Sequence, residues 1–364
     1  MRILQVIGSL NRGGAETFIM NVLRNIDSET YQFVFLCYGD KSFDYEKEAK
    51  ELGAKIVRIP DVKVIGAVKY IAEIKKVIKE NSIDAVHIHT YYNSMFALIA
   101  AALSGVELRI THSHSTQSET NPSFLKKLYF TASSLVIRTL TTSRLACGSE
   151  AGKSLFGENS KFTVINNGIN LKDFAYKNDT RKLLRKQLAL PSKGTVLLHV
   201  GRFETVKNHS FLIDIFAEYL KKDPSSILLL VGRGPLENKI KQRVKLLKLD
   251  KSVKFLGVRS DVKDLYNVAD LFVFPSLFEG LPVVLVEAQT NGLSIVASDT
   301  IDQAAKLTNN IKFYSLENSA SEWAQCLLDT NKAHVDVYSK LAGGQYDINS
   351  VVARIQEIYS GDCE

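Results

Sequence analysis

The chain has 364 residues and a formal net charge of +7, with 45% hydrophobic and 23% charged residues. These fractions are close to the averages of soluble globular proteins and exclude a disordered, collagen-like or coiled-coil chain. At about 100 to 200 residues per domain, the length predicts two domains.

Cysteine usage and hydropathy predict a reduced, cytoplasmic protein. Cys37, Cys147, Cys326 and Cys363 are far apart and form no CxxC pair, so we expect neither a disulfide framework nor a zinc cluster. The longest apolar run, residues 95–103, is far shorter than the roughly 20 residues that a membrane helix needs. The chain opens directly into a strand pattern rather than a signal peptide. We therefore expect neither a membrane span nor export.

The positive charge is concentrated in the first part of the chain. Residues 1–200 contain 27 Lys and Arg against 18 Asp and Glu, whereas residues 201–364 contain 19 against 21. One interpretation is an anionic partner such as phosphates or a lipid surface, and the other is a solvated lysine-rich face. We expect no nucleic-acid partner.

Hydrophobic periodicity in the first half predicts alternating strands and helices. Residues 2–8 are a short apolar run typical of a buried parallel strand, and the turn N-R-G-G leads into a helix over residues 15–25. Further strands are expected at residues 31–37, 55–59, 85–89 and 109–112, with helices that include 67–80 and 94–103. Because parallel strands need crossover connections, this order predicts an α/β, doubly wound parallel sheet with helices on both faces.

The same alternation begins again near Thr195. The predicted strands are 195–200, 226–231, 253–255, 271–275 and 294–297, and the predicted helices are 210–221, 236–247, 262–268, 283–291 and 320–328. The polar, basic stretch 177–193 is interpreted as a helix followed by the interdomain linker. Open parallel sheets bind ligands beyond the carboxyl ends of their strands, so we expect a site in the cleft between two such domains.

The strongest motif follows the strand at 271–275 and reads S-L-F-E-G-L-P. Gly280, Leu281 and Pro282 lead into a helix whose free backbone N–H groups form a ready site for a phosphate oxygen. Glu279 in the loop and Glu287 in the helix are acceptors for sugar hydroxyls on either side of a bound diphosphate. Two unremarkable surface glutamates are the alternative interpretation.

A second motif, G-R-F-E-T-V-K-N, follows the strand at 195–200. The guanidinium of Arg202 and the ammonium of Lys207 can neutralise a diphosphate leaving group without a metal. A solvated loop is the alternative.

Two glycines follow the first predicted strand. Gly13 and Gly14 allow the backbone to approach a ligand closely, and the helix start behind them can face an anion. A plain tight turn explains them equally well. The motif is not the GxGxxG dinucleotide fingerprint, because the segment G-S-L-N at residues 8–11 lacks the second glycine.

Four histidines form two pairs at predicted strand ends, His87 with His89 and His112 with His114. A spacing of two residues places both members of a pair on one face of a strand. A metal site is one interpretation, but no carboxylate or cysteine lies close in sequence. The preferred interpretation is that His112 faces the cleft as a polar contact or acid–base group, and a core histidine is the alternative.

Together, F-E-G-L-P-x5-E, G-R-x4-K and the early G-G-A-E turn resemble the retaining GT-B glycosyltransferases of family four. The resemblance covers essentially the full length and includes V-G-R-G-P, F-L-G, N-N-G-I and a C-terminal helix near residues 346–359. The stretch R-I-T-H-S-H is most similar to capsule and exopolysaccharide members. One departure is that the family's usual G-G-x-x-E segment is here D-T-I-D-Q at residues 299–303.

The resemblance implies the GT-B fold, in which two Rossmann-like domains face a central cleft. We expect an N-terminal acceptor-side domain at 1–190, a donor domain at 191–345, and a helix at 346–364 that returns to the first domain. Arg202 and Lys207 would hold the donor diphosphate, Glu279 the transferred sugar and Glu287 the ribose, with His112 near the sugar. The residues that would bind the donor are Gly13, Gly14, Arg202, Lys207, Gly257, Glu279, Gly280, Leu281, Pro282 and Glu287, and those implied in catalysis are Arg202, Lys207, Glu279 and His112.

The reaction implied by the resemblance is transfer of a sugar from a nucleotide diphosphate, expected to be UDP, with retention at the anomeric carbon. The acceptor would be a glycan or a polyprenyl-diphosphate-linked glycan in exopolysaccharide or capsule synthesis. No D-x-D pair occurs in the sequence, so the donor diphosphate is expected to bind without a metal or other cofactor.

The alternatives are a UDP-sugar epimerase of the same architecture, a non-catalytic sugar-nucleotide sensor and a nicotinamide oxidoreductase. The F-E-G-L-P-x5-E motif argues against the epimerase, and intact Arg202, Lys207, Glu279 and Glu287 argue against the sensor. A nicotinamide enzyme is disfavoured by the missing fingerprint.

Apolar and aromatic residues lie beside two lysines between residues 122 and 130, in the sequence P-S-F-L-K-K-L-Y-F. This composition suits a helix that lies in the headgroup region of an anionic membrane, which predicts peripheral attachment to the inner face of the plasma membrane. An ordinary amphipathic helix packed on the first sheet is the alternative.

Overall fold

A computed structural model describes residues 1–39, 42–115, 123–279 and 282–361. The chain forms two compact units, one of Met1–Ile169 with Gln345–Glu364 and the other of Asn170–Gly344. Within the described ranges, no helix combines the length and the apolar character needed to cross a membrane.

The first unit contains a seven-stranded parallel sheet. Its strands and helices are β1 (Arg2–Val6), α1 (Gly14–Asn25), β2 (Gln32–Tyr38), α2 (Glu46–Glu51), β3 (Lys55–Ile59), α3 (Val62–Ile65), α4 (Ala67–Glu80), β4 (Ala85–Ile88), α5 (Ser94–Leu103), β5 (Leu108–Ser113), α6 (Phe124–Leu140), β6 (Ser143–Ala146), α7 (Ser149–Phe156) and β7 (Thr163–Val164). The strand order is β3-β2-β1-β4-β5-β6-β7, so the chain direction across the sheet reverses between β1 and β4. This is the doubly wound arrangement that the alternation predicts.

The second unit contains a six-stranded parallel sheet with the same type of order, β10-β9-β8-β11-β12-β13. Its elements are α8 (Leu171–Phe174), α9 (Asn178–Gln187), β8 (Val196–Val200), α10 (His209–Lys222), β9 (Ile227–Val231), α11 (Glu237–Leu246), β10 (Val253–Gly257), α12 (Val262–Val268), β11 (Leu271–Phe274), α13 (Val283–Thr290), β12 (Ser294–Ser298), β13 (Ile311–Tyr314), α14 (Ala320–Asp329) and α15 (Tyr338–Leu341). The reversal lies between β8 and β11, which pair directly. Each unit therefore has a Rossmann-like α/β fold.

Each sheet separates two apolar clusters, because its strands are buried on both faces. In the first unit, one cluster contains side chains of α1 and the other contains side chains of α4 and α5. In the second unit, the corresponding clusters contain side chains of α12 and α13 on one face and of α10 and α14 on the other. Continuous apolar strands such as Ile227–Val231 are typical of this double burial.

The last helix, α16 (Ile348–Ser360), packs on α1 within the first unit. Asp347 caps its start by accepting a hydrogen bond from the backbone N–H of Asn349, and Gly361 ends it with a φ of +81°, a conformation that favours glycine. Ile355 and Ile358 join the same apolar cluster as Phe18. Burial of this apolar stripe fixes the helix against the first sheet.

The boundary between the units lies about 20 residues before the predicted position at residue 190. Helix α9, interpreted from sequence as the end of the first domain, packs on α12 of the second unit. The guanidinium of Arg181 donates to the backbone carbonyls of Asn267, Val268 and Ala269 and pairs with Asp270. Because these bonds satisfy the carbonyls at the end of α12, the basic stretch belongs to the second unit.

The predicted strands and helices agree with the structure to within a few residues at their ends. Three strands were not predicted, namely β6, β7 and β13. Strand β6 has the sequence S-R-L-A and β7 has only two residues, so neither produces a detectable apolar run. Strand β13 lies at the edge of its sheet and has an exposed lysine at its second position, which interrupts the pattern.

Candidate functional site

The reversal point of the second sheet brings two of the predicted motifs together. The loop after β8 contains Arg202 and Lys207, and the loop after β11 contains Glu279. The backbone N–H of Leu277 donates to the carbonyl of Val206 over 2.8 Å, which joins the two loops directly. Ligands of doubly wound sheets bind at this position, beyond the carboxyl ends of the strands where the order reverses.

The loop after β8 is held against the loop after β9 by backbone contacts. Phe203 N–H donates to the carbonyl of Arg233, and Gly201 N–H donates to that of Val231. Gly232 has a φ of +131°, and a Cβ atom there would overlap the carbonyl of Gly201. The glycine in V-G-R-G-P therefore permits a close approach that fixes the loop with Arg202.

Lys207 and Glu279 form an ion pair in which Nζ lies 2.6 Å from Oε1. Each side chain is only 17% exposed, and the ammonium also lies 4.8 Å from the centre of the Phe274 ring. Glu279 forms an isolated parallel bridge with Ile301, which places it beside the D-T-I-D-Q segment. The cation implied for the diphosphate and the carboxylate implied for the sugar are thus in direct contact.

Arg202 differs from Lys207 in its exposure. Its side chain is 72% exposed, and its guanidinium lies 2.9 Å from the carboxylate of Glu204. An exposed ion pair of this kind contributes little stability. Arg202 can therefore exchange Glu204 for an anionic ligand at small energetic cost.

Glu287 lies on α13 and accepts a hydrogen bond of 2.7 Å from the hydroxyl of Tyr266 on α12. Burial raises the pKa of Glu287 to about 7, although the hydrogen bond from Tyr266 acts in the opposite direction. The carboxyl group is thus poised between its neutral and ionised forms near physiological pH.

Two further donor-site candidates, Pro282 and Gly257, also lie at this edge of the second sheet. Pro282 is the N-cap residue of α13, and Gly257 ends β10 with a φ of +66° while its carbonyl accepts from the N–H of Gly232. Gly280 and Leu281 lie outside the described residues, so their predicted phosphate contacts remain predictions.

Two histidines near Lys207 were not singled out from the sequence. His199 donates a ring N–H to the carbonyl of Val273 over 2.8 Å, and His209 stacks on Phe203 with ring centres 4.2 Å apart. Burial lowers the pKa of both, to about 4 for His209, and the charge of Lys207 lowers it further. Both rings are therefore neutral, so neither adds positive charge beside Lys207. The only signal in the sequence was their position next to the G-R-x4-K motif.

In the first unit, Gly13 and Gly14 lie at the start of α1, after β1. Gly13 is the N-cap residue, and a Cβ atom on Gly14 would meet no atom within 4 Å. The carboxylate of Glu16 folds back against Gly13, and burial raises its pKa. A phosphate at this helix start would therefore have to displace or protonate Glu16.

His112 is buried in the structure, and its implied role near the sugar remains a prediction. It lies inside β5, is fully buried, and contacts the edge of the Phe18 ring with centres 5.0 Å apart. This burial fits the core-histidine alternative, because the rings of Phe18 on α1 and His87 on β4 pack against it. His114, which follows the strand, is partly exposed.

The four histidines of the two pairs form one cluster on β4 and β5. Nε2 of His87 lies 3.3 Å from Nδ1 of His112, and Nδ1 of His89 lies 2.8 Å from Nε2 of His114. Burial lowers the pKa of all four imidazoles, to about 3 for His87 and His114. Candidate ligand atoms of His87, His89 and His112 lie within 4.8 Å of one another, so these three residues have the composition of a metal site.

Both halves of the chain match known family models. Residues 180–325 match the glycosyl transferases group 1, and residues 12–173 match Glycosyltransferase Family 4. The EpsF protein of Bacillus subtilis (strain 168) is 33% identical over 369 residues, which cover 99% of this chain and 96% of that protein. The UDP-Gal:alpha-D-GlcNAc-diphosphoundecaprenol alpha-1,3-galactosyltransferase of Escherichia coli is 27% identical over 82% of this chain and 81% of that protein.

The fold is similar to that of Anabaena HepE in its crystal structure in complex with UDP. The TM-score is 0.81 with 20% sequence identity, and the match covers 99% of this chain and 100% of HepE. This likeness concerns the fold, which is that of the GT-B glycosyltransferases. With two matching family models and a full-length relative at 33% identity, the chain belongs to the group 1 glycosyltransferases of family four.

Proposed function

We propose that this glycosyltransferase moves a sugar from a UDP-sugar to a polyprenyl-diphosphate-linked glycan, with retention, in exopolysaccharide or capsule synthesis. The observation that carries the proposal is the Lys207–Glu279 ion pair at the reversal point of the second sheet. The UDP donor and the lipid-linked acceptor are supported by the E. coli relative, whose name specifies both.

The charges at this point suit a nucleotide diphosphate. A bound diphosphate competes with Glu279 for the ammonium of Lys207 and with Glu204 for the guanidinium of Arg202. Released from Lys207, the Glu279 carboxylate is an acceptor for the hydroxyls of the sugar. Glu287, held by Tyr266, is an acceptor for the ribose hydroxyls.

The transfer step is a displacement on one face of the sugar. The bond between the anomeric carbon and the diphosphate oxygen breaks, and a bond to the acceptor oxygen forms on the same face. The acceptor proton passes to the leaving phosphate oxygen, and UDP departs. Lys207 and Arg202 stabilise the negative charge that develops on the diphosphate as the bond breaks.

The test is incubation with UDP-sugars, in the presence and absence of an undecaprenyl-diphosphate-linked glycan, followed by chromatography. We expect UDP to be released only with acceptor, and the product to keep the anomeric configuration of the donor in its NMR coupling constants. Isomerised UDP-sugar formed without acceptor would instead identify an epimerase. Binding of UDP-sugar with neither reaction would identify a sensor.

Removal of divalent metals is expected to leave the activity intact. Because the sequence contains no D-x-D pair and two cations already face the diphosphate position, transferase activity should survive an excess of EDTA. A loss of activity that Mg²⁺ or Mn²⁺ restores would contradict the role of Arg202 and Lys207.

The proposal includes docking of α6 on the anionic inner face of the membrane. Phe124, Leu125 and Leu128 on this helix are 79%, 75% and 60% exposed, beside the exposed Lys126 and Lys127. Apolar side chains next to lysines suit the headgroup region, and the excess of basic residues in 1–200 adds attraction to anionic lipid.

Changing Lys126 and Lys127 to Glu is expected to weaken binding to phosphatidylglycerol vesicles at least tenfold. Each lysine near the surface contributes about 1 kcal/mol. The matched control is Lys75→Glu with Lys76→Glu, two exposed neighbouring lysines on α4 of the same unit. Vesicle flotation at low and high salt measures the effect, with binding of a soluble UDP-sugar donor unchanged in both variants. No lipid association at low salt, or equal loss in the control, would remove α6 as the docking element.

A further inference from the structure

A continuous chain of hydrogen bonds crosses the first sheet and ends on the last helix. It connects β1, β4, β5 and α16 through side chains that are far apart in sequence. Its members, in order, are His112, His87, Tyr359, Gln5, His89 and His114. Such a chain is notable because each neutral imidazole has one donor and one acceptor nitrogen, so one end determines the tautomer of the next ring.

The middle of the chain is the contact between Gln5 and Tyr359. The side-chain amide Nε2 of Gln5 donates to the Tyr359 hydroxyl over 2.9 Å. The hydroxyl proton is then available for Nδ1 of His87, which lies 2.8 Å away. When the hydroxyl donates to Nδ1, His87 carries its proton on Nε2.

On one side of the contact between Gln5 and Tyr359, the hydrogen bonds continue from His87 to His112. Nε2–H of His87 points to Nδ1 of His112, which leaves the proton of His112 on its own Nε2. The backbone of Ile165, directly after β7, raises the pKa of this ring, which burial and the neighbouring imidazoles lower. Nε2 of His112 itself has no hydrogen-bond partner among the described residues. A backbone carbonyl can only accept a hydrogen bond, so it favours a proton on Nε2 of His112. It disfavours the opposite direction of the hydrogen bonds, in which Nδ1 of His112 would donate to His87.

On the other side of this contact, the hydrogen bonds continue from Gln5 through His89 to His114, which follows β5. The Oε1 atom of Gln5 accepts from Nε2 of His89 over 2.9 Å. Nδ1 of His89 is then an acceptor and receives the Nε2–H of His114 over 2.8 Å. This leaves a lone pair on Nδ1 of His114, for which the described residues offer no hydrogen-bond partner.

These hydrogen bonds argue against a metal ion in the histidine cluster. The Nδ1 lone pairs of His87, His89 and His112 are all occupied by hydrogen bonds of the chain. A cation bound by these three rings would have to break several of those bonds. Two buried nitrogens of the cluster have no hydrogen-bond partner among the described residues, namely Nε2 of His112, which carries a proton in this arrangement, and Nδ1 of His114, which is the unpaired acceptor.

We propose that Tyr359 and Gln5 are positioning residues that hold His114 as the Nε2–H tautomer. In this tautomer Nδ1 of His114 is a hydrogen-bond acceptor just beyond the carboxyl end of β5, where it receives a substrate hydroxyl. The identity of that substrate rests on the proposed function, but the tautomer does not. The last helix thereby contributes to the site although Tyr359 itself contacts no substrate.

The control of the tautomer depends on the side-chain amide of Gln5. With the Tyr359 hydroxyl in place, the amide has its Nε2 on Tyr359 and its Oε1 on His89. Without that hydroxyl the amide is free to turn over, and its NH₂ would then donate to Nε2 of His89. His89 would donate from Nδ1 to His114, and the proton of His114 would move to Nδ1.

The experiment is NMR of the ring nitrogens in the full chain labelled with ¹⁵N-histidine. The His114 signals are assigned by their loss in His114→Gln. In the unmodified protein we expect a single neutral tautomer of His114 with the proton on Nε2. In Tyr359→Phe we expect a second His114 species with the proton on Nδ1. The matched control is Tyr31→Phe, which removes another tyrosine hydroxyl that faces α16, bonded to the carbonyl of Gln356, and should leave the spectrum unchanged.

A protonated Nδ1 of His114 in the unmodified protein would overturn the proposal, whether or not any variant folds. An unchanged His114 spectrum in a folded Tyr359→Phe protein would also overturn it. Under the proposed function, Tyr359→Phe should lower kcat/KM on the order of tenfold, as for one weakened hydrogen bond, while Tyr31→Phe should not. If no donor is turned over by any form, the proposed function fails while the NMR result still decides the tautomer.

Discussion

Replacing Lys207 by alanine is expected to lower turnover by a factor on the order of 10² to 10³, the scale of losing one group that stabilises the transition state. The ammonium of Lys207 is the mostly buried cation at the reversal point of the second sheet, and it lies against Glu279 and the Phe274 ring. Removal of the ammonium leaves the carboxylate of Glu279 unpaired where the diphosphate should bind. The negative charge of the diphosphate is then no longer neutralised, and the leaving group is no longer stabilised as the bond breaks. Arg202→Ala is expected to have a similar effect through the diphosphate alone.

The loss of a charge partner also affects stability, and a second variant separates the two effects. In Lys207→Met with Glu279→Gln both charges are removed, so the free energy of unfolding should recover relative to Lys207→Ala, while turnover should not. The matched control is Arg243→Ala, which breaks the ion pair with Asp214 between α10 and α11 in the same unit. Single-turnover kinetics and thermal unfolding measure the two quantities. A near-normal rate for Lys207→Ala or Arg202→Ala would contradict the leaving-group role.

Replacing Glu287 by alanine is expected to weaken the binding of UDP-sugar and of free UDP alike, on the order of 10- to 100-fold for lost hydrogen bonds to a charged group. Glu279→Ala should weaken UDP-sugar binding but spare UDP, because this carboxylate is assigned to the sugar. Titration calorimetry with both ligands measures the difference. Equal loss of UDP affinity in the two variants would contradict this division of roles.

The raised pKa of Glu287 predicts a pH dependence of the same binding. Because burial raises this pKa to about 7, the carboxylate forms only as the pH rises through 7, and UDP affinity should rise with it.

The same shift means that Glu287 contributes stability below its unfolded pKa and that this contribution is lost as the pH rises through about 7. Glu287→Gln should remove the rise of UDP affinity near pH 7. This variant therefore separates the titration of Glu287 from the titration of the UDP phosphate. Tyr266→Phe should move the midpoint upward, because the lost hydrogen bond favours the ionised form.

The sequence by itself determined the two α/β series and the positions of the motifs after their strands. Hydrophobic periodicity reports burial along a single segment, and glycines and charges at strand ends report local turn and ligand chemistry. These signals were sufficient to predict the positions of Arg202, Lys207, Glu279 and Glu287 in the fold, because each lies within a few residues of a strongly apolar strand or on the helix that follows one. Their roles remain predictions.

Only the tertiary structure decided which of these residues meet. The ion pair of Lys207 with Glu279 depends on β8 lying beside β11, and the bond from Tyr266 to Glu287 depends on the packing of α12 against α13. Gln5 and Tyr359 are separated by 354 positions, and their contact exists because α16 packs on the first unit. The burial of His112 depends on ring contacts with Phe18 of α1 and His87 of β4, which are far from it in sequence. Local periodicity carries no information on the order of strands across a sheet or on long-range contacts, so these features required the fold.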